Sequence, residues 1–327
     1  MKTKTISIIT FIDWILLTNF ALVKRTEFSP NLKKKIISKV YLNSMKILCQ
    51  YSSFIILKLL LFSNQISLDP LIDNANKPIV SLTSFPVRIK NLWMVIFTLF
   101  NQSLKPGKVI LTLTNQEFPN GINQIPNSLK QFVGKGLEIM FVDVNLKPHN
   151  KYFFTFQQFP NRNIITVDDD LLYYTDTIER LIDLHLKYPN TICSNRIQQI
   201  SLNNCEFDKT GNWKHVYTPT QPSHYNFALG YGSVFYPQNF RGNLLFDINR
   251  IKLLCPMADD LWLKSMELIE NIYVVSGEYY AHPIIIPFSQ KVALRFSNSE
   301  KNVTGNDDQW DNLNSEFELY NKFITNK

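Results

Sequence analysis

The chain contains few of the residues that characterise disulfide-linked, zinc-binding or fibrous proteins. Of its 327 residues, ten are glycine, four are cysteine and five are histidine. The cysteines form no CxxC pair, and their spacing suggests neither a disulfide framework nor a zinc site. The histidines form no HExxH pattern, and no P-loop is present. We therefore expect reduced, mostly buried thiols in a globular protein of the cytosol.

The basic residues are concentrated at the N-terminus. Residues 1–76 contain ten Lys or Arg and four Asp or Glu, and they hold +6 of the formal net charge of +7. This segment is either a solvated helical face or one attracted to an anionic membrane, where each basic group contributes about 1 kcal/mol. No basic stripe continues beyond it, so nucleic-acid binding is not expected. With 45% hydrophobic residues, we expect an appendage over residues 1–76 and one large domain over residues 77–327.

Two apolar stretches lie in the appendage. Ile6–Val23 has Asp13 at its middle, and a carboxylate at the centre of a spanning helix costs about 3 kcal/mol. No small-residue cleavage site of a secretory signal follows it. Met45–Phe62 is interrupted by Lys46 and Lys58. We predict two helices that pack on the main domain, lie along a membrane surface, or both. The protein is then cytoplasmic and peripheral on the inner face of the membrane.

From residue 77 onwards, short apolar runs alternate with helical patterns. The predicted strands are Pro78–Thr83, Lys108–Thr114, Leu137–Val142 and Asn163–Val167. Predicted helices fill the intervals, including Gln124–Val133 and Asn150–Phe159, and another helix follows Thr175 or Asp176. This order predicts an α/β fold with a mostly parallel central sheet covered by helices. Ligands of such sheets bind beyond the carboxyl ends of the strands, where Thr83, Asn115, Asp143 and Asp168 are expected to share one crevice.

Three consecutive aspartates, Asp168, Asp169 and Asp170, follow the fourth predicted strand. Adjacent carboxylates repel one another unless they are solvated, protonated or joined by a cation. Mg²⁺ or Mn²⁺ typically binds one or two carboxylates together with phosphate oxygens of a substrate. Asp168 and Asp170 lie on the same side of an extended backbone and are the predicted metal ligands. The alternative is a polar loop whose aspartates cap the next helix.

A second acidic pair, Asp259-Asp260, is predicted to begin a helix. Aspartate is a favoured N-cap residue, so a structural role explains the pair. The functional alternative is a general base that removes a proton from an acceptor hydroxyl. Gly230-Tyr231-Gly232 permits close approach of the backbone to a ligand, or marks a bulged core strand. Arg88 and Lys151 are placed near predicted helix N-termini, where a pyrophosphate is favoured; for Lys151 the alternative is a solvated surface lysine.

Taken together, these motifs resemble the bacterial GT-A-type glycosyltransferases of capsule and lipopolysaccharide gene clusters. The resemblance covers residues 77–313. It is carried by Val80–Ile89 (VSLTSFPVRI), Gly136–Asp143, Ile164–Tyr174 (IITVDDDLLYY), Gly230–Pro237, Cys255–Met266 (CPMADDLWLKSM) and Gly305–Gln309 (GNDDQ). The chain departs from the pattern at Val87, at Asn150-Lys151 and at Gly230-Tyr231-Gly232, which concerns the phosphate contacts and the acceptor.

The resemblance implies a GT-A fold, a nucleoside-diphosphate sugar donor, a glycan or lipid-linked glycan acceptor, and a DXD metal site at Asp168 and Asp170. It also implies that the ADD motif supplies the base of an inverting enzyme, for which Asp260 is the first choice and Asp259 the second.

We expect Thr83, Arg88, Asp143 and Lys151 to hold the nucleotide, and Asp169 to contact the donor sugar or shape the turn. Two other classes stay open: a metal-dependent phosphotransferase or sugar-phosphate transferase, and a non-catalytic membrane-associated binding protein.

Overall fold

The structure is a computed structural model that describes residues 43–44, 47–48, 50–59, 68–278, 282–287, 289 and 305–325. Within these ranges, no helix has both the length and the apolar character needed to cross a membrane. The predicted helix Ile6–Val23 lies outside them. In the second apolar stretch, residues 50–59 are helical, and Leu57, which is 2% exposed, packs into the core of the main domain. Part of the appendage therefore packs on that domain, and its contact with a membrane stays a prediction.

Fourteen strands occur in the described chain. They are β1 (Ile79–Thr83), β2 (Lys108–Thr114), β3 (Leu137–Val142), β4 (Ile164–Thr166), β5 (Leu171–Leu172), β6 (Ile192–Ser194), β7 (Ile197–Gln199), β8 (Leu202–Asn203), β9 (Glu206–Phe207), β10 (Lys214–Val216), β11 (Asn226–Ala228), β12 (Val234–Tyr236), β13 (Val274–Ser276) and β14 (Ile284–Ile285). Seven of them form a central sheet in the order β13-β6-β12-β4-β1-β2-β3. Within it β12 runs antiparallel to both neighbours, and the other pairings are parallel. The predicted mostly parallel sheet is confirmed.

After residue 68, the α-helices of the described chain are α1 (Leu92–Phe100), α2 (Asn127–Lys130), α3 (Phe153–Gln158), α4 (Thr177–Lys187), α5 (Ile248–Leu254), α6 (Asp259–Ile269), α7 (Asn306–Phe317) and α8 (Leu319–Thr325). Short 3₁₀ turns lie at Gly121–Gln124, Lys147–Lys151, Thr210–Asn212, Gly230–Gly232 and Asn243–Phe246. The helices α1, α2, α3 and α4 separate successive strands of the sheet, as the alternating pattern predicts.

The strand predictions agree closely with the structure. β2 and β3 have the predicted bounds, whereas β1 and β4 are shorter by one and two residues. The helix predicted from Asn150 begins at Phe153, because Lys147–Lys151 forms a separate 3₁₀ turn with Pro148 near its start. Asp176 occupies the N-cap position of α4 as predicted, but its side chain makes no capping hydrogen bond.

Neighbouring residues of the central strands are buried on opposite faces of the sheet. In β1, Val80 packs in one hydrophobic core and Ile79 in the other, and in β4 Ile165 and Ile164 are divided in the same way. This alternation follows from the two-residue period of a strand. Helix α1 is buried along its whole length against the first face, and α6 packs against the second. Because both faces are covered, the central strands are almost continuously apolar.

The segment Gly230–Ser233 is placed by the one antiparallel strand of the central sheet. Val234, the first residue of β12, pairs with Thr166, the last residue of β4. Because β12 runs opposite to β4, the residues just before Val234 lie beyond the carboxyl end of β4. They are the connection from β11, which belongs to a small antiparallel sheet with β7 and β10. The glycine motif therefore lies at the same edge of the sheet as the three aspartates.

Glu270, at the end of α6, is expected to make stability depend on pH. Burial raises its pKa to about 7, and this rise outweighs the opposing effects of the Gly242 N–H and Arg241. The folded state thus binds the proton more tightly than the unfolded state, so this contribution is complete below about pH 4.5 and is lost as the pH rises through 7. We compare the free energy of unfolding of Glu270→Gln with that of the wild type at each pH. After allowance for solvent screening, this difference is expected to be about 1–2 kcal/mol more favourable to the variant at pH 8 than at pH 5.

Urea denaturation at the two pH values measures this difference. Glu206→Gln is the control, because it makes the same substitution at an exposed position of the β8–β9 hairpin. An equal effect of the two substitutions at both pH values would contradict the prediction.

Candidate active site

Polar residues follow the carboxyl ends of four adjacent strands. Asp168, Asp169 and Asp170 come after β4, and Thr83 ends β1, its Oγ1 donating to the Thr112 carbonyl at 2.8 Å. Asn115 and Asp143 come after β2 and β3 and are exposed, with Asn115 Nδ2 donating to Asp143 Oδ1 at 2.7 Å. Because these strands are parallel neighbours, the residues lie along one edge of the sheet. The sequence predicts this placement, although not the contact between Asn115 and Asp143.

Arg88 binds two of the three aspartates. Its Nη1 lies 2.5 Å from Asp169 Oδ1 and its Nη2 lies 3.2 Å from Asp170 Oδ2, while Ser84 Oγ donates to Asp169 Oδ2 at 2.6 Å. Both carboxylates are buried. Burial raises the pKa of Asp170 to about 7 and also raises that of Asp169, although Arg88 opposes the rise in both. Burial thus favours the protonated forms of Asp169 and Asp170, and the charge of Arg88 favours their ionised forms.

Asp168 faces a different cation. Its Oδ1 accepts a hydrogen bond from Lys151 Nζ at 2.8 Å, and its backbone N–H donates to the Tyr173 hydroxyl at 2.7 Å. The Asp168 side chain is 30% exposed, compared with 6% for Asp169 and 9% for Asp170. Asp168 is therefore the aspartate of the triplet most accessible to a ligand.

Lys151 is buried, which excludes the solvated surface lysine that the sequence left open. It is 7% exposed, and its Nζ lies 2.8 Å from Asp168 Oδ1 and 2.8 Å from Asp259 Oδ2. Its backbone carbonyl accepts from Ser81 Oγ at 2.6 Å, which ties the 3₁₀ turn to β1. Burial alone would favour the neutral amine, but Asp168 and Asp259 raise the pKa of Lys151 well above its usual range. It is therefore a charged lysine between two acidic motifs.

The second acidic motif begins helix α6, as predicted. Ala258 occupies the N-cap position, so Asp259 and Asp260 lie in the first turn and neither is the cap. Asp259 is buried against Lys151. Asp260 is partly buried, and its Oδ2 accepts from the Gly230 N–H at 3.1 Å. Burial and the neighbouring Asp259 raise the pKa of Asp260 to about 7, with Lys151 opposing the rise. A carboxylate with such a pKa is suited to accept a proton near neutral pH.

Buried polar contacts hold the turn before α6 in place. His149 Nε2 lies 2.7 Å from the Cys255 carbonyl, and its Nδ1 lies 3.1 Å from the Tyr152 hydroxyl. Since a carbonyl only accepts, Nε2 carries the hydrogen and the tyrosine donates to Nδ1. Burial lowers the pKa of His149 to about 4, so the ring is neutral. From the other side, the Met257 N–H donates to the Gln309 Oε1 at 2.9 Å, which gives the GNDDQ motif a supporting role.

Gly230 lies against two charged side chains. A Cβ at this position would lie 2.7 Å from Asp260 Oδ1 and 2.9 Å from Lys151 Nζ, both closer than a side-chain carbon is found in proteins. The sequence indicates a close approach of this backbone to a ligand, and the structure shows that the close partners are Asp260 and Lys151. Ser233, which ends the turn, has φ 69°. This glycine therefore leaves space for the acidic cluster itself.

Substitution of Gly230 is expected to displace that cluster. In Gly230→Ala the new methyl group collides with the Asp260 carboxylate and the Lys151 ammonium, so we expect activity to fall by about 10²-fold, as a misplacement of about 1 Å typically causes. Gly211→Ala is the matched control, since a Cβ there meets no atom within 4 Å. Rates of the two variants on one donor and acceptor measure the effect. Equal rates for both would show that the close contact is unimportant.

The charges of the cluster fit a divalent cation. Asp168, Asp169, Asp170, Asp259 and Asp260 gather around Lys151 and Arg88, so fully ionised carboxylates outnumber these cations by three. Two unit charges 4 Å apart interact by about 4 kcal/mol at an effective dielectric constant of 20. Oxygen donors of this kind suit Mg²⁺ or Mn²⁺. In the described part of the chain, no three His, Cys, Asp or Glu side chains are grouped to hold a metal. A site of three protein ligands is not needed for Mg²⁺, however, because one or two carboxylates usually bind it together with phosphate oxygens of the substrate.

Aromatic and basic side chains lie beside the glycine motif. The Arg196 guanidinium carbon is 5.5 Å from the Tyr231 ring centre and 5.8 Å from that of Tyr217. Tyr231 also stacks on His282, with 4.9 Å between ring centres. Tyr217 is 54% exposed, whereas Trp213 is 3% exposed and belongs to the core. Tyr217 is thus an exposed aromatic ring near the glycine motif.

Sequence reasoning missed Ser84, Tyr173 and His149. Ser84 follows the first strand directly, so its position at the strand end was a usable signal. Tyr173 is five residues from Asp168, but only the turn through β5 brings its hydroxyl back to the Asp168 N–H. The Cys255 carbonyl that His149 contacts is 106 residues away in the sequence, and no local pattern indicates this contact.

No protein-family model matches the chain, and no curated protein matches it. Among solved structures, similarity extends to TarS 1-349 from S. aureus in complex with UDP, with a TM-score of 0.43 and 13% identity over 63% of this chain. This chain spans 59% of that structure's length.

For two further solved structures, the similarity covers a larger share of the other chain. A putative glucose-1-phosphate thymidylyltransferase from Bacillus anthracis in complex with a sucrose gives a TM-score of 0.36 and 10% identity over 63% of this chain and 87% of the other. UTP-bound UGPase from Acinetobacter baumannii gives 0.37 and 9% identity over 71% and 96%. With TM-scores below 0.5, these similarities do not assign the chain to a family or an activity.

Proposed function

We propose that this protein is a metal-dependent glycosyltransferase that moves a sugar from a nucleoside-diphosphate sugar to a hydroxyl group. The observation that carries the proposal is the meeting of two acidic motifs at one sheet edge. Asp168–Asp170 and Asp259-Asp260 are about ninety residues apart in the sequence, yet Lys151 contacts both at 2.8 Å. Glycosyl transfer needs these two functions side by side, one for the leaving diphosphate and one for the attacking hydroxyl.

On the donor side, Asp168 and Asp170 are the residues that would hold Mn²⁺ or Mg²⁺. Such an ion neutralises the charge that develops on a departing nucleoside diphosphate. Arg88, held by Asp169 and Asp170, adds positive charge at the same place. Thr83 and the exposed Asn115–Asp143 pair are the groups that would contact the nucleoside, farther along the strand ends. Each of these roles is supported by position at the carboxyl edge of a parallel sheet.

On the acceptor side, Asp260 is the proposed base. It accepts the proton of the acceptor hydroxyl while the hydroxyl oxygen forms a bond to the anomeric carbon. The bond from that carbon to the diphosphate oxygen breaks, and its electron pair leaves with the nucleoside diphosphate. A direct displacement of this kind inverts the anomeric centre. The raised pKa of Asp260 and its fixation by the Gly230 N–H support this role.

The acceptor is proposed to be a glycan or a lipid-linked glycan, in the synthesis of a bacterial capsule or lipopolysaccharide. The exposed Tyr217 ring supports a carbohydrate acceptor, because an aromatic face packs well against the apolar face of a sugar. The net charge of +6 in residues 1–76 supports peripheral contact with the inner face of the cell membrane.

A screen of donors tests the proposal. The purified protein is incubated with a panel of nucleotide sugars and Mn²⁺, without acceptor, and free nucleoside diphosphate is measured. We expect slow hydrolysis of one donor, abolished by excess chelator and restored by added Mn²⁺. The chain with Asp176→Asn, a change to an aspartate eight residues after Asp168 that is outside the cluster, should behave as the wild type. Release of nucleoside diphosphate from no donor, or undiminished release with chelator, would contradict the proposal.

A further inference from the structure

The bridge formed by Lys151 has a geometry unsuited to phosphate binding. The ammonium group has three N–H bonds to donate, and the carboxylates of Asp168 and Asp259, both at 2.8 Å, take up two directions. A Cβ on Gly230 would be only 2.9 Å from the same nitrogen, so the Gly230 backbone also lies close to the ammonium group. The side chain is 8% exposed. A donor phosphate therefore meets the carboxylate of Asp168 before it meets Lys151.

The bridge links the loop after β4 directly to the first turn of α6. Asp168 belongs to the loop after β4, and Asp259 to the first turn of α6. Lys151 itself is fixed through its carbonyl, which accepts from Ser81 Oγ of β1 at 2.6 Å. The adjacent Asp260 is fixed by the Gly230 N–H at 3.1 Å. The position of Asp260 relative to Asp168 therefore depends on one buried lysine and one backbone N–H, besides the His149 and Gln309 contacts that hold the turn before α6.

We propose that Lys151 is a positioning residue: it ties donor-side Asp168 to Asp259, and so fixes the distance between the bound donor and the base Asp260, without binding the donor phosphates. This inference rests on the proposed glycosyltransferase function. It also assigns the two aspartates of the ADD motif different tasks, since Asp259 holds the lysine and Asp260 faces the acceptor. Lysine suits the position because its ammonium is a compact point charge, and the larger guanidinium of arginine would have to fit beside the close Gly230 backbone.

The kinetic test separates positioning from phosphate binding. Lys151→Met keeps most of the length of the side chain and removes its charge. We expect kcat for transfer to fall by about 10²-fold, the cost of a misplaced reacting group, while the Kd for nucleoside diphosphate with Mn²⁺ changes by less than about threefold, well under the tenfold that 1.4 kcal/mol represents. Lys151→Arg keeps the charge and should not restore kcat. A loss of nucleotide affinity of tenfold or more, or full rescue by arginine, would overturn the inference.

A stability test needs no activity. Removing Lys151 leaves the buried carboxylate of Asp259 without its cation, so Lys151→Met should lower the melting temperature by about 6 °C or more, measured with chelator present. In the wild type Asp259→Asn should also lower it, but in Lys151→Met the same change should raise it, because it removes an uncompensated charge. If Asp259→Asn has the same sign and size in both backgrounds, the two residues are not coupled and the inference fails. If the wild type turns over no donor, the proposed function is contradicted. The melting temperatures then still test whether Lys151 and Asp259 are coupled.

Discussion

Replacement of Asp260 by asparagine is expected to lower the rate of glycosyl transfer by about 10³-fold, within the range that general-base catalysis provides. Asparagine is nearly the same size, and its side-chain oxygen can accept the Gly230 N–H as Asp260 Oδ2 does at 3.1 Å. The fold and the position of the turn are therefore retained, and only the capacity to take a proton is lost. Nucleoside-diphosphate affinity should stay within about threefold of the wild type, because the group acts on the acceptor side.

The neighbouring aspartate supplies the comparison. Asp259→Asn removes a carboxylate that is buried against Lys151, so its effect should come through a shifted lysine and be smaller, about tenfold. Initial rates at saturating donor and acceptor, with thermal unfolding of each variant as a check on folding, measure the two effects. A larger loss for Asp259→Asn than for Asp260→Asn would exchange the roles of the two aspartates.

The donor-side aspartates should have an effect of similar size. In Asp168→Asn or Asp170→Asn we expect transfer to fall by about 10³-fold, because a metal ion at a leaving group contributes several kcal/mol and each 1.36 kcal/mol is a factor of ten. Binding of nucleoside diphosphate should also lose its dependence on Mn²⁺. Calorimetric titration with and without the metal measures this loss directly.

Asp176→Asn is the control for these two variants. It lies after the triplet at the start of α4, where its side chain is 43% exposed and pairs with Arg180. It should retain both transfer and the metal dependence of nucleotide binding. If Asp168→Asn and Asp170→Asn bind the nucleotide as the wild type does with Mn²⁺, the metal assignment is wrong, whatever their rates.

The parts of the fold that depend on local pattern could be predicted from the sequence. β2 and β3 have their predicted bounds, because their β-branched and apolar residues form runs with clear limits. For β2, the turn residues Pro106-Gly107 lie before the run and Asn115 follows it. The order of strands and helices then places Thr83, Asn115, Asp143 and Asp168 at one edge, since parallel strands share their carboxyl ends. The start of α6 at Asp259 was likewise predictable from proline and aspartate before an apolar helical pattern.

Contacts between distant parts of the chain could not be predicted in this way. Lys151 ends a short 3₁₀ turn whose sequence resembles the start of a helix, and nothing near it in the sequence shows that it will be buried between Asp168 and Asp259. The antiparallel strand β12, which brings Gly230 to the site, is three residues long, too short to indicate its direction. These features depend on how complete elements pack, and that packing becomes visible only in three dimensions.

Mass spectrometry of the product distinguishes transfer of a glycosyl group from transfer of a sugar phosphate. The protein is incubated with its active nucleotide sugar, Mn²⁺ and a set of simple aryl glycosides as acceptors. We expect an acceptor heavier by one glycosyl residue, one equivalent of nucleoside diphosphate, and about 10³-fold slower formation of this product by Asp260→Asn. An acceptor heavier by a sugar-phosphate group, with a nucleoside monophosphate released, would identify a sugar-phosphate transferase and contradict the proposed function.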